Sequence, residues 1–156
     1  MTVHRRFLAV PIVLAVLALL VVATPAAAQD EPTTKCTAYT VLKAANEVPP
    51  TTSRAVGAAL VHVNGTTVSF SVAIVNPARE SFFAGHIHVG AAGANGPVVV
   101  TLFAGSTDRK LIFQAARVQT DATTAAAICA NPAGYYVNYH TTQFLGGAIR
   151  GQLIEG

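Results

Sequence analysis

The chain has 156 residues, with ten Lys or Arg, seven Asp or Glu and a net charge of +3. Two of the cations, Arg5 and Arg6, lie in a segment that we expect to be removed, which leaves eight against seven and a net charge of about +1. A nucleic-acid-binding domain carries a concentrated basic surface, so this balance argues against that class of partner. The remaining length suits one domain.

The first 28 residues have the pattern of a secretory signal peptide. Arg5 and Arg6 form a positive start, residues 7–23 are apolar, and Ala26 and Ala28 place small residues where signal peptidase cleaves. We therefore predict cleavage near Ala28 and a secreted or extracytoplasmic location. The alternative is a retained anchor, because an apolar run of this length approaches the shortest one that spans a bilayer. Only an uncleaved signal peptide would then contact the membrane.

The rest of the chain is predicted to form a flexible tail over residues 29–36 and one domain over residues 37–156. Short runs of β-branched and small residues, broken by Gly, Pro and Asn, are typical of all-β proteins. Asp121 is predicted to cap a single short helix over residues 122–130. This pattern favours an immunoglobulin-like or Greek-key β-sandwich of about eight strands. The predicted strands are residues 37–43, 55–63, 66–75, 82–89, 97–103, 111–118, 135–141 and 148–154.

The dipeptide Asn64-Gly65 predicts a tight hairpin between the second and third strands, because these residues readily take positive φ angles. A two-residue loop at these positions pairs Val63 with Thr66. Alternate side chains of both strands then enter the core. The same alternation turns His62 toward solvent, so we do not expect His62 in a buried site.

Two cysteines, Cys36 and Cys129, follow the predicted cleavage site. In an oxidising compartment a lone pair of cysteines most often forms a disulfide. We therefore predict a Cys36–Cys129 bond that ties the start of the domain to the region before its last strands. A thiolate metal ligand or a reactive thiol is the alternative.

Three histidines could form a metal site. His86 and His88, two residues apart on a predicted strand, face the same side, while Phe83, Ile87 and Val89 are expected to pack inward. His140 ends the outward face of another strand. Three neutral imidazoles with one open position suit Zn²⁺ or Cu²⁺. Alternatively, these side chains hydrogen-bond to the neighbouring loops and only shape that end of the sheet.

Five segments span nearly all of the chain after the predicted signal peptide: LKAANEVPP at 42–50, GHIHVG at 85–90, NGPVV at 95–99, YYVNYHT at 135–141 and GGAIRGQL at 146–153. Together, in this order, they resemble the chordin-type (CHRD) domain family. The resemblance implies an immunoglobulin-like sandwich outside the cell, with a binding or structural role, and no agreed catalytic residues. In bacteria the domain commonly stands alone after a signal peptide.

Two charged residues within these segments, Glu47 and Arg150, could form an ion pair. Glu47 precedes two prolines that favour an extended backbone, and it is a candidate for a structural ion pair with Arg150. Arg150 alternates with Ile149, so we expect its side chain to leave the core. The family often has Glu immediately before its Ile-Arg-Gly-Gln stretch, where this chain has Ala148.

The sequence supports two leading hypotheses of function. The first is a non-enzymatic exported domain that binds an extracellular protein or a component of the cell surface, or that has a structural role there. The second is a copper- or zinc-binding metalloprotein of redox or metal-handling type, built on His86, His88 and His140. Adhesion through an exposed apolar patch is a third, weaker hypothesis.

Overall fold

The computed structural model describes residues 34–156. The predicted signal peptide and most of the predicted tail lie outside this range. Within it are nine strands and one α-helix, α1 (Ala122–Ala130), with short 3-10 turns at Ala44–Asn46 and Pro132–Gly134. The strands are β1 (Lys35–Lys43), β2 (Val56–Asn64), β3 (Thr67–Val75), β4 (Phe82–Val89), β5 (Val98–Thr107), β6 (Leu111–Gln119), β7 (Tyr135–Thr141), β8 (Ile149–Gln152) and β9 (Ile154–Glu155).

All nine strands belong to one antiparallel sheet with the order β5-β4-β7-β8-β1-β2-β3-β6, and β9 pairs with β1 beside β8. The sheet curls so that its two end strands, β5 and β6, contact each other without forming a ladder. The result is nearly closed and barrel-like, with one short helix. The prediction of an all-β fold is confirmed.

The core lies inside the curled sheet and contains one side of each long strand. In β2 and β3, Val61, Val63, Val68, Phe70 and Ile74 are buried, as the alternation in the sequence predicts. The opposite sides of these strands face outward. Strands β2 and β3 therefore bury alternate residues, whereas β7 is buried on both sides.

The register of the β2–β3 hairpin differs from the prediction. Val63 pairs with Val68, not with Thr66, because the two turn residues are Gly65 and Thr66. Gly65 takes a φ of 59°, which fits a turn with glycine at its first central position. Because the pairing changes by two residues, each side chain stays on its predicted face. His62 lies on the outward face, where its Nδ1 is 3.0 Å from the Thr37 hydroxyl.

Strand β1 begins at Lys35, two residues before the predicted start of the domain, so residues 35 and 36 are not tail. Lys35 pairs with Asn64 and Cys36 with Val63. The predicted disulfide is present between Cys36 and Cys129, whose Cα atoms are 5.5 Å apart. This bond fastens the end of α1 to the first strand.

Helix α1 has its predicted bounds. The Asp121 carboxylate accepts a hydrogen bond from the backbone N–H of Thr124 at 2.8 Å, as expected for an N-cap. Ala125 and Ile128 are buried, and the helix contacts β1 and β2. None of the helices in residues 34–156 is long and apolar enough to cross a membrane.

Strand β4 contains an irregularity that the sequence did not predict. Its register with both neighbouring strands shifts between Phe82 and Ala84. As a result Phe82 is fully buried in the core. Phe83, expected to pack inward, is only partly buried, and its ring centroid lies 6.2 Å from that of His140.

Candidate metal centre

The outward side of β4, β7 and β8 carries polar and aromatic side chains, and the inward side of the same strands belongs to the core. In β4, His86 and His88 flank the core residue Ile87. In β7, His140 follows the core residue Tyr139. We call this outward side the histidine face. It comprises His86, His88, Tyr136, Asn138, His140, Arg150 and Gln152.

The imidazoles of the three candidate ligands form one cluster. Nδ1 of His86 lies 3.1 Å from Nε2 of His140. The ring centroids of His86 and His88 are 5.6 Å apart, and those of His88 and His140 are 5.8 Å apart. One nitrogen from each ring can be chosen so that all three lie within 4.8 Å of one another. His88 and His140 are buried and His86 is partly exposed, so the cluster opens to solvent beside His86.

Backbone carbonyl groups fix which nitrogen each buried histidine presents. Nδ1 of His88 donates to the carbonyl oxygen of Gly96 at 2.9 Å, and Nδ1 of His140 donates to that of Leu145 at 3.0 Å. A carbonyl oxygen only accepts, so both Nδ1 atoms carry the proton and both Nε2 atoms present a lone pair. Within residues 34–156, Nε2 of His88 is buried without a hydrogen-bond partner.

Burial keeps these imidazoles neutral. Desolvation, together with repulsion from His140 and His88 when these are protonated, lowers the pKa of His86 to about 4. Desolvation also lowers the pKa of His88 and that of His140, although each gains a hydrogen bond to a carbonyl group. Neutral imidazole is the form that ligates a metal ion.

These geometric features fit a small divalent ion. Zinc–imidazole bonds of ~2.0–2.1 Å place the nitrogens of a tetrahedral site ~3.3 Å apart. The 3.1 Å between Nδ1 of His86 and Nε2 of His140 is close to this separation, and a nitrogen of His88 lies within 4.8 Å of both rings' ligand atoms. The carbonyl groups that orient His88 and His140 are the outer partners that histidine ligands commonly have. The cluster therefore offers three nitrogens and an open side.

A second group of contacts on the histidine face surrounds Tyr136. The imidazole of His88 stacks on the Tyr136 ring with 4.8 Å between centroids and an interplanar angle of 7°. Cζ of Arg150 lies 3.6 Å from the Tyr136 centroid. The Tyr136 hydroxyl accepts a hydrogen bond from the backbone N–H of Gly96. The Tyr136 ring thus links the histidine cluster to the arginine.

Arg150 leaves the apolar core as its alternation predicts, but it does not reach solvent and is only 1% exposed. Its guanidinium group donates to the Asn95 side-chain oxygen at 3.1 Å and to the carbonyl oxygen of Ala94 at 2.9 Å. A longer contact of 3.4 Å reaches the carbonyl oxygen of Ala91. Because the loop of residues 90–97 folds back over the sheet, it buries the arginine.

The suggested ion pair between Glu47 and Arg150 is not formed. Within residues 34–156 the single pair of opposite charges closer than 4.0 Å is Arg79 with Asp108, at 3.9 Å. Glu47 is buried, and desolvation raises its pKa to about 7 even though the charge of Arg150 acts in the opposite direction.

Three members of the histidine face received no role from the sequence. Asn138 lies directly across from His86 and contacts Glu47. Tyr136 stacks on His88, and Gln152 donates to the carbonyl oxygen of Gly90 at 2.7 Å. Because side chains alternate along a strand, the sequence places Tyr136 and Asn138 on the same side as His140. Their contacts depend on loops whose course no periodicity describes.

A separate apolar groove lies on the outward side of β1, β2, β3 and β6. It has a volume of about 630 Å³ and is lined by Tyr39, Val41, Leu60 and Phe113 among others. Phe113 is 77% exposed. The predicted surface patch of the adhesion hypothesis therefore exists, on a different part of the sheet from the histidines.

Among known proteins, the chain matches one family model. No curated protein and no solved structure matches the chain. The model of a protein family described as the CHRD domain matches residues 38–153, which include every strand from β2 to β8 and most of β1. The match covers the histidine face, the loop above it and the buried Glu47. On this extent the chain belongs to the CHRD domain family.

Proposed function

We propose that this protein is an extracytoplasmic binding or structural domain whose histidine face holds one Cu²⁺ or Zn²⁺ ion through His86, His88 and His140. The observation that carries the proposal is the set of three imidazole nitrogens within 4.8 Å of one another. A bound ion of this kind would give the domain a metal-handling or redox role.

The arrangement of protons supports a ligand role over a purely structural one. A histidine that only shapes a loop needs one hydrogen bond, and His88 makes that bond through Nδ1. Its Nε2 is nevertheless buried beside two other imidazoles, with no partner in residues 34–156. Burying a polar atom without a partner costs free energy, and a metal ion would satisfy it.

The location outside the cytoplasm rests on the disulfide and on the pattern of the first 28 residues. A bond such as Cys36–Cys129 persists in oxidising compartments and is rare in the cytosol. Mass spectrometry of the protein recovered outside the cytoplasm tests the proposal. We expect an N-terminus close to Gln29, and a chain that stays in the cytoplasm with residues 1–28 intact would contradict it.

Calorimetric titration of the purified, chelator-treated protein with Cu²⁺ and with Zn²⁺ tests the metal site. We expect one ion per chain for wild type and a loss of at least 100-fold in affinity for the double variant His86→Ala/His88→Ala. His62→Ala is the matched control, because His62 lies on the outward face of β2 and should not affect the affinity. Equal uptake by wild type and the double variant, or no uptake by wild type, would refute the site.

Adhesion is a second candidate function, favoured by the exposed groove around Leu60 and Phe113. If the groove acts in this way, Phe113→Ser should lower adsorption of the protein to alkyl-coated beads severalfold without changing the metal titration. Unchanged adsorption would eliminate this candidate.

A further inference from the structure

The outward side of β1, β2, β3 and β6 changes along the strands from polar to apolar. Strand pairing aligns its side chains in rows that cross all four strands. The two rows nearest Lys35 carry polar and charged groups, including His62 and Arg117. The three rows at the other end are apolar apart from Lys43 and Ser71, and we call them the apolar face. They are Lys43, Val56, Val75 and Leu111; Val41, Ala58, Ala73 and Phe113; and Tyr39, Leu60, Ser71 and Ala115.

The apolar face is exposed and continuous. Val41, Leu111 and Phe113 are 53%, 57% and 77% exposed, respectively. The groove of about 630 Å³ adjoins a second groove of about 300 Å³ beside Val56 and Leu111, and Val41 and Phe113 line both. Large exposed apolar patches mark interaction surfaces on soluble proteins. A partner that covers this face would be held by the burial of these apolar side chains.

Exposed cations border the apolar face at the same end of the sheet. Lys43 is the last residue of β1, Arg54 lies just before β2, and Arg79 lies in the turn after β3. Arg109 and Lys110 lie in the turn that leads into β6. The ends of all four strands therefore carry positive charge beside apolar side chains.

Little negative charge accompanies these cations. The four strands contain no Asp or Glu. In the turns at this end, within the described residues, Glu47 and Glu80 are buried and only Asp108 is exposed. Asp108 lies 3.9 Å from Arg79 and offsets that one cation. An excess of positive charge thus borders the apolar face.

This combination of groups distinguishes between possible partners. A second copy of the chain would bring the same cations to the interface without carboxylates to match them, and like charges across an interface are costly. A bilayer with anionic headgroups supplies both an apolar interior and a plane of negative charge at its boundary. Lys and Arg side chains can extend to that boundary while neighbouring apolar groups lie deeper. Tyr39 adds an aromatic ring of the kind enriched at membrane boundaries.

We propose that the apolar face docks on the surface of a lipid bilayer that carries anionic headgroups. Val41, Leu60, Leu111 and Phe113 enter the boundary of the acyl chains, and the bordering cations contact the headgroups. This inference rests on adhesion, the second candidate function, and names its partner. It does not involve the histidine face.

Co-sedimentation with vesicles in the presence of chelator tests the proposal. The vesicles consist of phosphatidylcholine alone or of phosphatidylcholine mixed with anionic phosphatidylglycerol. We expect binding to the mixed vesicles, about tenfold or more weaker binding to the neutral ones, and weaker binding in high salt, because several cations contact the charged surface. Binding to neither kind of vesicle, or equal binding to both, would overturn the proposal. Light scattering that shows a dimer dissociated by Phe113→Ser would also overturn it, because a second copy would then cover the face.

Two double variants test where the contact lies. Arg109→Gln/Lys110→Gln removes two cations beside the apolar face and should weaken binding to the mixed vesicles about tenfold or more. Lys35→Gln/Arg117→Gln removes two exposed cations from the polar rows of the same sheet, and its effect should be severalfold smaller. Equal losses would show that only net charge matters and would overturn the docking. A protein that adsorbs to alkyl-coated beads but binds neither kind of vesicle would leave adhesion standing and refute the bilayer as its partner.

Discussion

Burial shifts the pKa values of Glu47 and His86 in opposite directions. Desolvation disfavours the charged form of each group, so it raises the pKa of the Glu47 carboxyl to about 7 and lowers that of the His86 imidazole to about 4. Folded Glu47 holds its proton above the pH at which the unfolded chain releases it, so its contribution to stability is lost as pH rises from about 4.5 to 7. The contribution of His86 is lost as pH falls from about 6.5 to 4.

The variant Glu47→Gln should remove the pH dependence of stability that comes from Glu47 and keep the one that comes from His86. The amide cannot ionise, so the variant should gain stability relative to wild type between pH 4.5 and 7.5, by about 1–3 kcal/mol. Urea unfolding at both pH values, with Glu155→Gln as control, measures this difference. A difference that does not change with pH would mean that the Glu47 carboxyl has its ordinary pKa in the folded protein.

The histidine cluster could be predicted from the sequence, whereas the burial of Glu47 could not. Alternation along β4 and β7 puts His86, His88 and His140 on one side of the sheet, and this inference needs only the period of two. The state of Glu47 depends on the turn after β1 and on the glycines near residue 147. These contacts are distant in sequence, and no periodic pattern indicates them.

The loop of residues 90–97 is the element that shapes the histidine face. The carbonyl oxygen of Gly96 orients His88, and Asn95 joins the loop to both Arg150 and the backbone carbonyl of Val48. Because Tyr136 also contacts Gly96, all five segments that resemble the CHRD family meet at this loop. Their contacts hold one loop over one sheet.

Arg150→Lys should loosen this loop. Lysine retains the charge but cannot donate simultaneously to Asn95 and the loop carbonyl groups, so we expect a loss of about 2 kcal/mol in the free energy of unfolding. Amide hydrogen exchange should accelerate in residues 90–97 and stay slow in β2. Arg117→Lys, at an exposed position in β6, is the control. Unchanged exchange in the loop would show that Arg150 does not hold it.

The positions of most elements could be predicted to within a few residues, whereas their exact pairing could not. Residues 82–89, 122–130 and 135–141 were predicted with the bounds that the structure has. The β2–β3 register was wrong because Asn64 and Gly65 are both acceptable turn residues, and the choice depends on where positive φ is needed. The β4 register shift near Phe83 arises from pairing on both sides of the strand.

At the scale of the whole molecule, one sheet encloses the core and a disulfide ties its first strand to α1. Cys36 and Cys129 are separated by 93 residues. A cross-link over so long a loop restricts the unfolded chain strongly. Composition and turn spacing predicted the all-β class. The curling of a single sheet until β5 meets β6 depends on twist accumulated over all its strands, which the sequence does not display.

The double variant Cys36→Ser/Cys129→Ser should fold less stably than wild type by about 4 kcal/mol, because its unfolded state is less restricted. Urea unfolding followed by circular dichroism measures the loss, and wild type in reductant provides the matched comparison. Equal midpoints for the oxidised and reduced protein would show that the bond contributes nothing to stability.

X-ray absorption at the copper or zinc edge of the metal-loaded protein examines the histidine site most directly. We predict three imidazole nitrogens at ~2.0–2.1 Å around one ion, with the imidazole scattering lost in His86→Ala/His88→Ala. A spectrum that shows only oxygen ligands, or the same imidazole signal in wild type and the double variant, would contradict a metal centre built on His86, His88 and His140.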